Sequence, residues 1–224
     1  MLRAVLRGMR EQTEPMLLDV GCGRVGMAAF MNDVTVVGVD LSPPDEYPPN
    51  FTFQEGSITN LPFDERSFPV VTCIDVIEHL PLDARGPALR ELVRVASRAV
   101  LIACPQGPVA ERCDAEFRRS LEARARPVPE WVFEHQAEPY PTSSVVSETI
   151  RLAAETSGRT LRTSLSYSEP VSVCRLVRRA AAGPKASYLA TNLLFGALLP
   201  LMPAPNADSG YRMILLAEFA PYDA

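Results

Sequence analysis

Two groups of residues in this chain have the types and spacing to do chemistry. In the first, the apolar run Leu17-Leu18 ends in Asp19, and Gly21, Gly23 and Gly26 follow at Gly-x-Gly-x-x-Gly spacing. Glycines so placed let a strand turn tightly into a helix and let backbone approach a nucleotide-like ligand. Asp40 stands about 20 residues on, where a ribose-binding carboxylate is expected. The second group is Asp75-Val76-Ile77-Glu78-His79 with Glu134-His135, which together hold both histidines of the chain. Either imidazole can serve as a general base near neutral pH. Glu78 and His79 can equally hold a loop to a helix start by hydrogen bonding.

The glycine spacing alone does not choose between a nicotinamide dinucleotide and S-adenosylmethionine. Asp19 tips the choice. A dinucleotide lays its pyrophosphate on the helix N-terminus, and a carboxylate at the end of the adjoining strand would oppose that charge. S-adenosylmethionine has no phosphate and carries a sulfonium and an ammonium, which an acid favours.

The elements that must position these groups alternate. Met16–Val20 reads as a first strand and Val25–Met31 as a first helix. Val34–Leu41 is a continuous apolar run, the pattern of a strand buried on both faces. Asn50–Glu55 and Val70–Asp75 read as the third and fourth strands, and Val100–Cys104 as the fifth. Pro87–Ala96 reads as a helix with Pro87 in its first turn. The spacing predicts a charged helix over Val109–Ala125, then a loop over Arg126–Pro141 carrying Trp131, His135 and Tyr140. Thr142 suits the cap of a helix running to Thr156, with Gly158 as its stop. Leu161–Tyr167 and Tyr211–Phe219 read as the last strands. Residues 169–210 between them are too many for a structureless loop and should hold helices of their own. Strands alternating with helices predict a doubly wound α/β sheet, its ligand at the carboxyl ends of the strands.

Length and composition fit one domain with a sizeable core. The 224 residues are 47% hydrophobic and 22% charged, and the net charge of −5 argues against a general nucleic-acid binder, DNA included. The five cysteines, Cys22, Cys73, Cys104, Cys113 and Cys174, form no CxxC pair. That supports neither a zinc knuckle nor a disulfide framework, and fits a reducing cytoplasm. Met1–Pro15 lacks the apolar run of a signal peptide and reads as a short leading helix.

Four segments in order, LLDVGCGRVG, VVGVDLS, EGSITNLPFDERSFPVVTCIDVIEHLP and AVLIACPQG, resemble the class I S-adenosylmethionine-dependent methyltransferases. The chain looks most like their small-molecule, quinone-biosynthesis branch. The resemblance implies an α/β fold, a doubly wound, seven-stranded and mostly parallel Rossmann-like sheet with its last strand antiparallel. It implies a single domain over 1–224, with a helical cap from insertions at about 107–141 and 169–210. It also implies S-adenosylmethionine as cofactor. Gly21, Cys22, Gly23 and Gly26 would surround its methionine part, and Asp19 would lie near the ammonium. Asp40, followed by Leu41, would take both ribose hydroxyls on its two acceptor oxygens. Ser57 and Ile58 would flank the adenine, and Cys73 and Ile74 would approach the sulfonium. Two positions depart from the family pattern, Ser57 and Pro69, where the family has Asp. The first should weaken the adenine contact, because a hydroxyl accepts less strongly than a carboxylate.

Methyl transfer is an in-line displacement at an already activated carbon, so alignment and exclusion of water supply much of the catalysis. A base is needed only where the acceptor must lose a proton; His79 and His135 are the catalytic candidates. Methyltransferases acting on RNA 3′ ends, which use a metal, show an acid-x-x-Glu-His run plus a later histidine, similar to Asp75, Glu78, His79 and His135. Metal-free members carry that run too, and adjacent residues here offer no clustered ligand set, so no metal is expected. The expected acceptor is a small or lipid-like molecule with an oxygen, nitrogen or carbon target. A metal-assisted RNA methyltransferase, disfavoured by the acidic charge, a catalytically silent S-adenosylmethionine-binding partner subunit and a nicotinamide oxidoreductase are the rival readings. Val171–Ala207 holds Arg175, Arg178, Arg179 and Lys185 and no acid, and continues into the apolar run Tyr188–Met202. That run is shorter than the ~20 residues needed to span a bilayer. It suits a peripheral membrane contact, an acceptor-side cap or a dimer interface.

Overall fold

Apolar runs flanked by glycine and proline become the strands of one sheet. The computed structural model describes residues 16–23, 26–31, 33–43, 48–183 and 210–220. The strands are β1 (Met16–Val20), β2 (Thr35–Asp40), β3 (Phe51–Glu55), β4 (Phe68–Ile74), β5 (Ala96–Pro105), β6 (Leu161–Ser168) and β7 (Arg212–Phe219). Their order is β3-β2-β1-β4-β5-β7-β6. The first five run parallel, and β7 lies antiparallel to both β5 and β6. The registers Val20↔Val39, Val20↔Cys73, Asp40↔Glu55 and Ile74↔Ala103 bring the carboxyl ends of the parallel strands to one edge.

The period of two in each strand divides the core between the two faces of the sheet. Leu18, Val20, Val71, Cys73, Val100, Ile102, Met213 and Leu215 belong to one buried cluster. Leu17, Val36, Val70, Leu101 and Leu216 belong to another. Helices α1 (Leu82–Val95) and α4 (Ser143–Thr156) cover the first face with Leu89, Leu92, Val93, Val146 and Ile150. Thr142 caps α4 as its sequence predicts, its hydroxyl accepting from the Val145 N–H at 3.3 Å. Gly158 follows at φ 67°.

Three local expectations need correction. Helix α1 starts at Leu82 after Pro81, five residues earlier than expected, and Pro87 lies inside it rather than in its first turn. The segment expected as a helix over Val25–Met31 is a five-residue 3-10 helix, Gly26–Phe30; its start is held by the Met27 N–H, which donates to Asp19 Oδ2 at 2.8 Å. The expected loop over Arg126–Pro141 contains an eight-residue helix, α3 (Glu130–Ala137). It is too weakly amphipathic to be read from pattern. It forms because Val132 is buried in a cluster with Phe117, Leu121 and Ala182.

Helices α2 (Gly107–Glu122), α3 and α5 (Val171–Ala182) gather beyond the carboxyl ends of β4 and β5. A second small cluster of Ala110, Cys113, Tyr140, Cys174 and Tyr211 ties α2 and α5 to the start of β7. The expected leading helix over Met1–Pro15 and the run Tyr188–Met202 lie outside the described residues. No helix among the described residues is long and apolar enough to cross a membrane.

Candidate functional site

The glycine turn is shaped from below by Asp19. This carboxylate is buried, with Oδ1 accepting from the Thr72 hydroxyl at 2.6 Å and Oδ2 from the Met27 N–H. Burial pushes its pKa up, against the hydrogen bonds to Thr72 and Met27. A Cβ on Gly26, which sits at φ 49°, would meet Asp19 Oδ2 at 2.1 Å, so the acid and the glycine require each other. Asp40 faces the turn from the next strand. Its Oδ2 accepts from the Gly23 N–H at 2.8 Å and its Oδ1 from the Leu41 N–H at 2.7 Å. Each oxygen keeps a second lone pair for a ligand hydroxyl. Among the described residues nothing lies within 4 Å of the position a Cβ on Gly23 would take. Leu41 beside it is 74% exposed, an unusual setting for a leucine. An open cradle over a glycine N–H, rimmed by a carboxylate and an apolar side chain, fits the amino-acid and ribose parts of S-adenosylmethionine.

The remaining expected cofactor residues lie close to the same strand ends but differ in access. Ser57 follows Gly56, whose N–H donates to the Asp40 carbonyl at 3.0 Å. Its hydroxyl is shared with Thr59 Oγ1 at 3.0 Å. Ile58 and Cys73 are buried in the core, and burial drives the Cys73 thiol well above its ordinary pKa. Cys22 is buried too, its thiol pushed up to about 12 by burial and the nearby Asp19 and Asp40. Ile74 is half-buried at the end of β4.

From Ile74 the chain turns sharply. Asp75 adopts φ 56°, a conformation that costs a non-glycine residue about 1–3 kcal/mol. It is held there by its N–H to the Ala103 carbonyl, at 2.9 Å, and by an ion pair with Arg212 of β7. Arg212 also meets Glu169 at 3.3 Å. The next residue, Val76, packs against the glycine turn: a Cβ on Gly21 would fall 2.2 Å from Val76 Cγ2. A 3-10 helix, Ile77–His79, then carries Glu78 inward and His79 outward. Arg85 of α1 fixes this turn by donating to the carbonyls of Leu80, Pro139 and Glu78.

The fold brings the two histidines together. Nε2 of His79 lies 3.3 Å from Nε2 of His135, which comes from the last turn of α3. On its far side each ring meets a carboxylate, His79 Nδ1 at 2.8 Å from Glu134 Oε2 and His135 Nδ1 at 3.0 Å from Asp114 Oδ2. Glu78 Oε1 is 4.0 Å from His135 Nε2, and among the described residues neither Glu78 oxygen has a partner at good hydrogen-bond geometry. Burial pushes the Glu78 pKa up to about 8, with the Asp75 charge adding to it and Arg212 opposing it. Burial lowers the pKa of both imidazoles, and for His79 the charge of His135 adds to this. Glu78, both histidines, Trp131, Arg178, Tyr211 and Arg212 are among the residues lining a cavity of about 300 Å³.

Asp114 is the residue that sequence reasoning missed. This fully buried carboxylate accepts from the hydroxyls of Tyr140, at 2.6 Å, and Tyr211, at 3.1 Å, and pairs with Arg178 of α5 as well as holding His135. The signal was present. Ala110, Cys113, Phe117 and Leu121 form the buried stripe of α2, and Asp114 is the one acid on it.

Comparison with known proteins agrees with this architecture. Residues 18–104 match the family described as a methyltransferase domain. A demethylmenaquinone methyltransferase of Chlorobaculum tepidum is 42% identical over 79 residues, a stretch covering 31% of each protein. Among solved structures, a methyltransferase in complex with the Trm112 methyltransferase activator from Haloferax volcanii is similar at TM-score 0.56 and 14% identity, over 100% of this chain and 89% of that one. Phosphoethanolamine N-methyltransferase 2 of Haemonchus contortus is similar at TM-score 0.54 and 17% identity, over 98% of this chain and 52% of that one. Residues 18–104 carry the methyltransferase-domain match, and the seven-stranded sheet that holds them has the strand order of Rossmann-like, S-adenosylmethionine-dependent methyltransferases.

Proposed function

We propose that the chain transfers the methyl group of S-adenosylmethionine to a small or lipid-like acceptor. The observation that carries the reading is the position of Val76. It packs on Gly21 of the cofactor turn and lies two residues before Glu78 and three before His79. Cofactor cradle and acidic-histidine cavity therefore flank one short segment at the end of β4, the arrangement an in-line transfer needs.

In this reading Asp40 and Leu41, with the backbone at Gly23, hold the ribose and the amino-acid end of the cofactor. Gly21, Cys22 and Gly26 shape the turn beneath it, and Asp19 acts from behind the turn. Ser57 and Ile58 border the adenine, and Ile74, next to the buried Cys73, borders the sulfonium. When bound, S-adenosylmethionine supplies the activated methyl carbon. The acceptor enters the 300 Å³ cavity. His79 and His135, their pKa values lowered by burial, take the proton of an acceptor hydroxyl or amine. Helices α2, α3 and α5, within 107–141 and 169–210, form the cap that keeps water from the acceptor. The whole of 1–224 acts as one domain, and Val171–Ala207 offers a lipid-like acceptor or a membrane surface its point of contact. The relative named for demethylmenaquinone supports a lipid-like acceptor.

Calorimetric titration with S-adenosylmethionine and with NAD tests the cofactor assignment. Asp40→Ala should weaken S-adenosylmethionine by about 2–4 kcal/mol, the worth of two hydrogen bonds to a charged acceptor. NAD binding, or unchanged affinity in that variant, would refute it. Turnover of labelled methyl groups onto quinol-type acceptors separates an enzyme from a silent binding subunit.

A further inference from the structure

We propose that Glu78, His79 and His135 form a binding site for one divalent transition-metal ion. The site rests on the geometry of these three side chains alone; what the ion would do for an acceptor rests on the methyl-transfer reading.

The hydrogen bonds on the outer sides of the two rings decide their chemistry. Glu134 and Asp114 are acceptors, so each neutral ring carries its proton on Nδ1, at 2.8 Å and 3.0 Å from those carboxylates. Both Nε2 atoms then present lone pairs, and these face each other across 3.3 Å. Two lone pairs at that distance repel unless a proton or a cation lies between them. Glu78 adds a third unmet demand: its side chain is 1% exposed, and among the described residues neither of its oxygens has a partner at good hydrogen-bond geometry. One ligand atom from each of the three residues lies within 4.8 Å of the others. One divalent ion answers all three demands at once.

The dimensions suit such an ion. Two imidazole nitrogens bound at about 2.1 Å to one tetrahedral ion stand about 3.4 Å apart. The Glu78 oxygen, at 4.0 Å from His135 Nε2, reaches the ion by a small side-chain rotation. Carboxylates behind both imidazoles are the outer partners that fix tautomer and orientation in metal sites. Two nitrogens and one carboxylate suit zinc, cobalt, manganese or iron rather than magnesium or calcium. Asp75 is not a ligand in this arrangement, because Arg212 occupies its carboxylate. His79 lies on the exposed side and the cavity adjoins the cluster, so a fourth coordination position faces the acceptor space. An acceptor hydroxyl there would lose its proton more readily, the service that the imidazoles alone would otherwise give.

The test uses the full, untagged chain stripped with chelator and then dialysed free of it, with no cofactor or acceptor present. Titration with Zn²⁺ in a calorimeter should show one ion per chain, and Co²⁺ should give the visible absorption of four- or five-coordinate cobalt. His79→Ala and Glu78→Gln should each weaken binding at least about 100-fold. Glu134→Gln, an exposed change that spares the core, should weaken it by about 10-fold or more through loss of the outer partner. No uptake of either ion by the parent chain would overturn the proposal. So would unchanged affinity in His79→Ala and Glu134→Gln variants whose circular dichroism matches the parent. S-adenosylmethionine affinity, measured in parallel on the same chain, reports on the cofactor reading separately.

Discussion

His79 and His135 are 56 positions apart in the sequence, yet their Nε2 atoms lie 3.3 Å from one another. The contact depends on two local devices. The turn at Asp75, left-handed and clasped by Arg212, aims the Ile77–His79 segment towards the cap. Asp114, reaching up from α2, fixes the other ring from behind.

Asp114→Asn tests the second device. The carboxylate is fully buried and answers Arg178, two tyrosine hydroxyls and His135. An amide cannot balance the guanidinium, and breaking a buried ion pair from one side costs about 3–5 kcal/mol. Urea denaturation should show a loss of that order. A loss below about 1 kcal/mol, the level of a surface pair, would mean that Asp114 does not hold the cap.

Glu78→Gln should make the metal-free chain more stable, and only above acidic pH. The unfolded glutamate ionises near its ordinary value of 4.5, whereas burial keeps the folded carboxyl protonated up to about 8. Between those values the unfolded state binds fewer protons than the folded one, so stability falls as pH rises through the window. Glutamine carries no such penalty. In chelator, the two proteins should match near pH 4 and diverge to about 3–5 kcal/mol by pH 8, given 1.36 kcal/mol per pKa unit. Parallel curves of unfolding free energy against pH would refute this.

Much of this was readable beforehand, and the failures have physical causes. The buried strands announce themselves because both faces of a parallel sheet select apolar residues, as in Val34–Leu41. Thr142 and Gly158 announce α4 because cap chemistry is local. The start of α1 was misread because Pro81 and Pro87 both suit a helix N-terminus, and only packing decides for the first. Helix α3 is short, and it is stabilised by residues far off in sequence, so no local pattern carried it. For the site, residue types pointed to Asp40, His79 and His135. Glu134 stood beside His135 in the sequence and Asp114 was the one acid on the buried stripe of α2, but that Glu134 meets His79 and Asp114 meets His135 follows only from the packing of α2 and α3 against the end of β4.

Gly21→Ala should damage the cofactor turn through Val76. The added methyl would fall 2.2 Å from Val76 Cγ2, and the glycine sits at φ 73°. Val76→Ala relieves the collision but not the backbone strain, which is about 1–2 kcal/mol for a left-handed L-residue. In a double-mutant cycle, Gly21→Ala should cost markedly less in the Val76→Ala background, with about 1–2 kcal/mol left over. Strict additivity of the two changes would show that they do not meet.

Two of the arginines of α5 are paired within the protein. Arg178 pairs with the buried Asp114, and Arg175 meets Glu116 of α2 at 2.7 Å. Arg178 in particular is committed to the cap, so replacing it tests folding rather than membrane contact. If Val171–Ala207 touches a membrane, the contact must draw on the apolar run Tyr188–Met202, with Arg179 and Lys185 preceding it in the sequence. A short apolar segment flanked by cations binds anionic interfaces through both terms together, each basic residue adding about 1 kcal/mol near the surface. Sedimentation with vesicles containing phosphatidylserine should therefore carry the chain down, and vesicles of phosphatidylcholine alone should carry less. Replacing Leu193 and Leu194 together by Asp should abolish sedimentation, because the apolar term is lost. Arg175→Ala should leave it unchanged, since that side chain already has an acidic partner. A parent chain that stays in the supernatant with both kinds of vesicle would remove the membrane contact and leave the segment as cap or dimer interface.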